Sequence, residues 1–273
     1  MDYECILYEK GSGVATITLN RPRVLNAMNK QLWLDVQDAL EDARLDSEIK
    51  AVIFTGAGRA FSTGADLKES KTRTPEAYRD YLEELQEASR MILRFEKPTI
   101  AAVNGYALGS GYELALACDL RIAADDAQIG SPEAKVTSSV TGGALRLVQN
   151  LIGPGRASEL LFTAEYIDGK EAERIGLVNR SVPPEQLLEE ARKTAGKIAE
   201  NSSFSLKMIK RGLLMAREGV SMESLMDYEV EACLACVFTK ERQESLKGFE
   251  ERKGKASRPK DRKRRNTSCV KNL

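Results

Sequence analysis

The chain has 273 residues, 42% of them hydrophobic, with 41 basic and 41 acidic side chains and no histidine. That length and apolar fraction are ample for a real core, while the missing histidine excludes Ser-His and Cys-His nucleophiles and every metal site built on imidazole. No apolar run approaches the roughly 18 residues of a membrane span, and MDYECILYEK lacks the basic and apolar regions of a secretory signal, so a cytoplasmic protein with no membrane partner is expected.

In chain order, strand signals rich in β-branched residues and closed by Gly, Asn or Pro fall at residues 13–20, 51–58, 99–105, 119–130 and 176–183. Between them Leu32, Val36, Ala39, Leu40 and Ala43 keep helical spacing, as do Tyr78, Leu82, Leu85, Ser89 and Ile92. Strands alternating with helices predict an α/β domain with mostly parallel pairing. From Pro184 the pattern is helical only, with a break at Asn201-Ser202-Ser203 and one helix read from Met222 to Glu251. Five irregularly spaced cysteines give no disulfide framework, and Cys233 and Cys236 lack the second pair a zinc site needs. Residues 252–273 hold ten Lys or Arg and one acid, a formal +9 that leaves −9 for residues 1–251. Such a tail reads as a disordered, separate electrostatic object.

Three stretches carry chemistry. GYALGSGYELALACD (105–119) places Gly105, Gly109 and Gly111 ahead of a helix expected to begin near Ser110. Glycines there permit positive φ and close approach, and the orphan N–H groups of a helix start favour an oxyanion; close strand–helix packing is the competing explanation. Glu113 stands almost alone among charges on that helix, so partial burial with a raised pKa is expected; a first-turn Glu stabilised by the helix dipole is the alternative. A second acid, Glu133, follows Gly130-Ser131-Pro132, and two carboxylates at the ends of adjacent elements can share general acid–base work. The loop GRAFSTGADLKES (58–70) repeats the glycine-then-helix arrangement, so the two loops could each give one N–H to a shared oxyanion. A phosphate cradle is the rival, although the spacing fits neither common glycine-rich fingerprint.

Together these stretches resemble the crotonase superfamily, the enoyl-CoA hydratase/isomerase fold. The resemblance is carried by Asn20-Arg21-Pro22 with Leu25-Asn26-Ala27-Met28, Phe61 to Leu67, Lys97 to Gly105, Gly109-Ser110-Gly111 with Glu113-Leu114-Ala115, Ser131-Pro132-Glu133, and Ala172 to Asn179. It implies a spiral of ββα repeats as core (residues 1–195) and a helical C-terminal region (196–251), with the basic tail (252–273) read from its charge beyond them, and homotrimers or homohexamers. It also implies a coenzyme A thioester as substrate, with no separate cofactor and no metal. The matching positions assign the oxyanion N–H groups to Ala65 and Ser110, catalysis to Glu113 and Glu133, and substrate contacts to Arg23, Gly64, Asp66, Leu67, Lys68 and Gly109. The expected reaction is syn hydration of an α,β-unsaturated acyl-CoA. Isomerisation and thioester hydrolysis on the same fold are the alternatives, and RNA binding through the basic tail is the less favoured reading from another class. Two positions depart from the family pattern. Ser110 adds a hydroxyl, either a helix cap or a neighbour of the oxyanion, and AKVTSSVTGGALRL after Glu133 lacks a Pro-Gly and is one residue shorter.

Overall fold

The computed structural model describes residues 2–70, 74–239 and 242. The chain divides into two compact units, Met1–Met226 and a second beginning at Asp227; the basic tail lies outside the described residues. The strands β1 (Ile6–Gly11) and β2 (Val14–Leu19) form an antiparallel hairpin, followed by α1 (Lys30–Leu45), whose first turn is capped by the Asn29 side chain. Next come β3 (Ala51–Gly56), β4 (Ala60–Ser62), the short α2 (Leu67–Ser70) and α3 (Pro75–Arg94). A second unit of the same kind is β5 (Thr99–Val103), β6 (Tyr106–Leu108) and α4 (Ser110–Ala117). The third is β7 (Leu120–Ala124), β8 (Gln128–Gly130) and α5 (Ala144–Thr163), which bends at Gly153-Pro154. Then follow α6 (Gly169–Arg174), β9 (Arg180–Val182), α7 (Leu187–Ala199), α8 (Ser203–Glu218) and α9 (Met222–Val237).

The pairing explains why the repeats wind. Each ββα unit gives its first strand to a six-stranded sheet ordered β1-β2-β3-β5-β7-β9 and its second to a three-stranded sheet ordered β4-β6-β8. Apart from the β1–β2 hairpin, every pair of named strands is parallel, so successive units stack in one direction. Strands covered on both faces must be apolar throughout. Accordingly Ala51–Thr55 and Thr99–Val103 are wholly buried. On one face of the large sheet α7 lies across β2, β3, β5 and β7, its Leu187, Ala191 and Ala195 spaced four apart so that small side chains let it approach. All eight residues of α4 are buried.

The predicted α/β class and parallel pairing hold. The single strand predicted over 119–130 does not: a turn closed by Ala127 N–H to Ala124 O splits it, because β7 and β8 belong to different sheets. The short strands β4 and β6, with β1, were not predicted, nor was α5. The predicted break at 201–203 is where Ser202 caps α8. That helix is tied to the core by Lys210, whose buried ammonium pairs with Asp119 at 2.7 Å and donates to Lys97 O at 2.9 Å. The last helix ends at Val237, where Phe238 and Thr239 leave the helix; Cys233 and Cys236 on it form no disulfide, and of the continuation read to Glu251 the remainder apart from Arg242 lies outside the described residues.

Candidate active site

The small sheet organises the site. Its three parallel strands end side by side, about 4.8 Å apart as parallel neighbours are, and each hands on to one piece of predicted chemistry. Strand β4 leads to Gly64-Ala65, β6 to Gly109-Ser110, and β8 to Ser131-Pro132-Glu133. Residues that are 68 apart in the sequence, Ala65 and Glu133, are therefore brought to one edge.

Gly64 and Gly109 meet where the first two turns touch. Gly64 has φ +94, and a Cβ on it would stand 2.9 Å from Leu108 O and 3.1 Å from Ser110 N, so only a glycine allows the Ala65 turn to lie against the Ser110 amide. Gly109 has φ 52 and ψ −126, a region closed to L side chains, and a Cβ there would come 2.9 Å from Glu133 Oε1. The close-packing and ligand readings of these glycines are thus not alternatives, since the packing is what gathers the polar groups.

The segment 21–28 holds the Ala65 turn from outside. Met28 N–H donates to Gly64 O at 2.8 Å and Asp66 N–H to Met28 O at 3.0 Å, a one-residue parallel bridge that turns the intervening Ala65 N–H away. Asn26, buried in a left-handed conformation, ties this segment down: its amide donates to Ala57 O and Ala60 O, and its side-chain oxygen accepts from Arg21 N–H. Ser110 is the first residue of α4, with Gly109 as the N-cap position, so its N–H is one of the helix's orphan donors. Its hydroxyl does not cap the helix. Among the described residues neither the Ala65 N–H nor the Ser110 N–H has a hydrogen-bond partner.

Glu113 sits one turn into α4, 4% exposed. Burial drives its pKa up and the nearby charge of Glu133 adds to this, while two hydrogen bonds from Thr141 oppose it. Those bonds take both oxygens: Thr141 N–H reaches Oε1 at 2.5 Å and the Thr141 hydroxyl reaches Oε2 at 2.7 Å. Glu133, half-buried at the start of a short 3-10 turn, accepts from the Ser131 hydroxyl at Oε2, leaving Oε1 beside Gly109. The expected burial of Glu113 with a raised pKa therefore holds.

Of the residues assigned to substrate contact, Gly64 and Gly109 lie in this cluster. Arg23, on an exposed 3-10 turn, Leu67 and Lys68 are exposed beyond it. The Asp66 carboxylate is engaged internally, paired with Arg21 at 2.9 Å and accepting from Lys68 N–H at 3.1 Å. Sequence reasoning missed the roles of Asn26, Arg21, Ser131 and Thr141. Asn26, Arg21 and Ser131 stood in quoted motifs, and Thr141 stood in the segment noted as departing from the pattern.

A family profile described as Enoyl-CoA hydratase/isomerase matches residues 9–257. The chain belongs to the enoyl-CoA hydratase/isomerase family. A crotonyl-CoA hydratase of Syntrophomonas wolfei is 38% identical over 256 residues, covering 93% of this chain and 97% of the relative. A short-chain-enoyl-CoA hydratase of Clostridium acetobutylicum is 35% identical over 254 residues, with the same shares covered. Among solved structures, an enoyl-CoA hydratase from Bacillus anthracis superposes with a TM-score of 0.88 at 35% identity, covering 91% of this chain and 97% of that one. The family's spiral of ββα units is the two-sheet winding described above, and no helix among the described residues is long and apolar enough to cross a membrane.

Proposed function

We propose that the chain is an enoyl-CoA hydratase, adding water reversibly and syn across the double bond of an α,β-unsaturated acyl-CoA. One observation carries this reading: two unpartnered main-chain N–H groups, from Ala65 and Ser110, are gathered with two carboxylates at the end of one small sheet. Donors fixed at an oxyanion position stabilise developing negative charge without reorganising. In this reading the thioester oxygen accepts both bonds and becomes the enolate oxygen as water adds at the β-carbon. Glu113, with both oxygens accepting from donors, is suited to be the carboxylate that takes the water proton. Glu133 Oε1, beside the Gly109-Ser110 turn and so beside the thioester's α-carbon, delivers the second proton. The exposed Arg23 and Lys68, with Leu67 and the backbone at Gly64, Asp66 and Gly109, are proposed to receive the coenzyme A portion. The reaction as written uses no metal and no redox cofactor.

The test is hydration of crotonyl-CoA followed by loss of enoyl absorbance, run beside 3-enoyl-CoA isomerisation and thioester cleavage. Hydration should dominate; rapid isomerisation or cleavage with no hydration would overturn the assignment. Because burial raises the Glu113 pKa, kcat/KM should fall on the acid side with an apparent pKa above the usual 4.5 of a glutamate. A profile flat down to pH 4.5 would remove Glu113 from the base role.

Assembly into homotrimers or homohexamers is part of the same proposal, supported by apolar side chains left exposed on α8 (Ile209, Leu213) and α9 (Met222, Met226, Val230, Leu234). Light scattering should then give three or six times the 30.2 kDa chain mass; a monomer would contradict it.

A further inference from the structure

We propose that Thr141 is a positioning residue for this reaction, holding both oxygens of Glu113 with its backbone N–H and its side-chain hydroxyl so that the carboxylate faces the water-adding side of the site. The inference rests on the hydratase reading for its rate effects, though the hold itself is geometric. The terminal torsion of a glutamate is broad and roughly two-fold, so burial alone leaves the carboxylate plane free to turn. Two donors from one residue, 2.5 Å and 2.7 Å from different oxygens, fix that plane.

Thr141 is itself fixed from two sides. Its carbonyl accepts from Ala144 N–H at 2.9 Å, at the start of α5, and the next N–H, Gly142, donates to Gln86 Oε1 of α3 at 3.0 Å. Gly142, at φ +62, is wedged between Ser89 and Glu113, where a Cβ would lie 2.7 Å from Ser89 Oγ and 3.3 Å from Glu113 Cβ. Gln86 and Ser89, which pack at Gly142, and Thr141 are neutral, and among the described residues the one charge whose field reaches Glu113 is that of Glu133. A hydroxyl that donates to Oε2 stabilises the anionic form against the cost of burial. It thereby suits Glu113 to accept a proton rather than to supply one.

Thr141 lies in the shortened segment 134–147 that sets this chain apart from the family pattern. Its hydroxyl supplies a donor from a side chain, which substitution can remove while keeping the backbone N–H in place.

The test compares Thr141→Val, which keeps shape and N–H but loses the hydroxyl, with Thr141→Ser, which restores it. Hydrogen bonds to charged groups support an expected fall in kcat of about 10- to 100-fold for Thr141→Val, with KM for crotonyl-CoA within about twofold since the hydroxyl meets Glu113 and not substrate. The acid limb of kcat/KM should move up by about one pH unit; Thr141→Ser should recover both rate and limb. Independently of turnover, carbon NMR of carboxyl-labelled glutamate, with Glu113 assigned by its absence in Glu113→Gln, should show the Glu113 titration displaced upward in Thr141→Val and restored in Thr141→Ser. Unchanged rate and unchanged titration in Thr141→Val would overturn the proposal, as would Thr141→Ser behaving like Thr141→Val. Should the wild-type chain hydrate no enoyl thioester, the hydratase reading falls, while the carboxyl titration still decides whether Thr141 holds Glu113.

Discussion

Glu113→Gln is expected to slow crotonyl-CoA hydration by about 10²- to 10⁴-fold, the range over which a positioned general base contributes, while leaving the protein at least as stable at pH 7. The amide keeps the local bonding: its oxygen accepts from Thr141 N–H, and its NH₂ can donate to the Thr141 hydroxyl oxygen, which reverses its role. The direction of the stability effect follows from linkage. The fold raises the Glu113 pKa, so the folded state binds the proton more tightly than the unfolded chain. That contribution is fully present below the ordinary glutamate pKa of 4.5 and is lost as pH rises through the folded value. A neutral glutamine removes the unfavourable ionised form, and melting curves at pH 7 should show no loss. Glu133→Gln should slow hydration to a similar degree for a different reason. The two are separated by butyryl-CoA, which has an α-proton but no double bond to hydrate. In deuterium oxide its α-proton should still exchange in Glu113→Gln and should not in Glu133→Gln. Exchange retained by both, or near-wild-type hydration by either, would end the assigned roles.

Gly64→Ala should cost about 10²- to 10³-fold in kcat, the loss seen when an oxyanion donor is removed. The added Cβ would meet backbone on both sides, Leu108 O at 2.9 Å and Ser110 N at 3.1 Å, neither of which can swing aside as a side-chain tip would. The φ of +94 adds strain for any L residue. The turns must separate, and with them the Ala65 and Ser110 N–H groups. Because Gly64 N–H donates to the Ser62 hydroxyl oxygen at 3.1 Å and Gly64 O accepts from Met28 N–H, the displacement reaches the segment around Asn26. A variant that keeps its melting temperature and its rate would show that the amide spacing does not matter to turnover.

The sequence made some of this legible and hid the rest for identifiable reasons. The central strands of the large sheet announce themselves because, covered on both faces, they read as near-continuous apolar runs such as Ala51–Thr55 and Thr99–Val103. β4 and β6 escape because three residues such as Ala60-Phe61-Ser62 carry no periodicity to detect, yet their pairing is what assembles the site. α5 is disguised by Gly153-Pro154, a stop signal that acts: Gly153 leaves the helical region (φ 79, ψ 162), so the element is two shorter helices meeting at a kink. Glu113 was readable as a buried acid because its helix has almost no other charge. Thr141 was not, since a threonine in a loop has many uses and its partner lies 28 residues away in sequence. Asp66 is a related case: its position in the motif was legible, while the pairing of its carboxylate with Arg21 was not.

Because the separation of Ala65 and Ser110 is inherited from the pairing of β4 with β6 and the bridge to Met28, the proposed grip on the reacting oxygen is insulated from segments outside those pairings. Residues 134–140, which carry neither N–H of the pair nor the Thr141 hold on Glu113, can change character without disturbing that grip. Substitutions in that segment are therefore expected to leave the proposed enolate chemistry constant, which makes it the economical place to alter this scaffold.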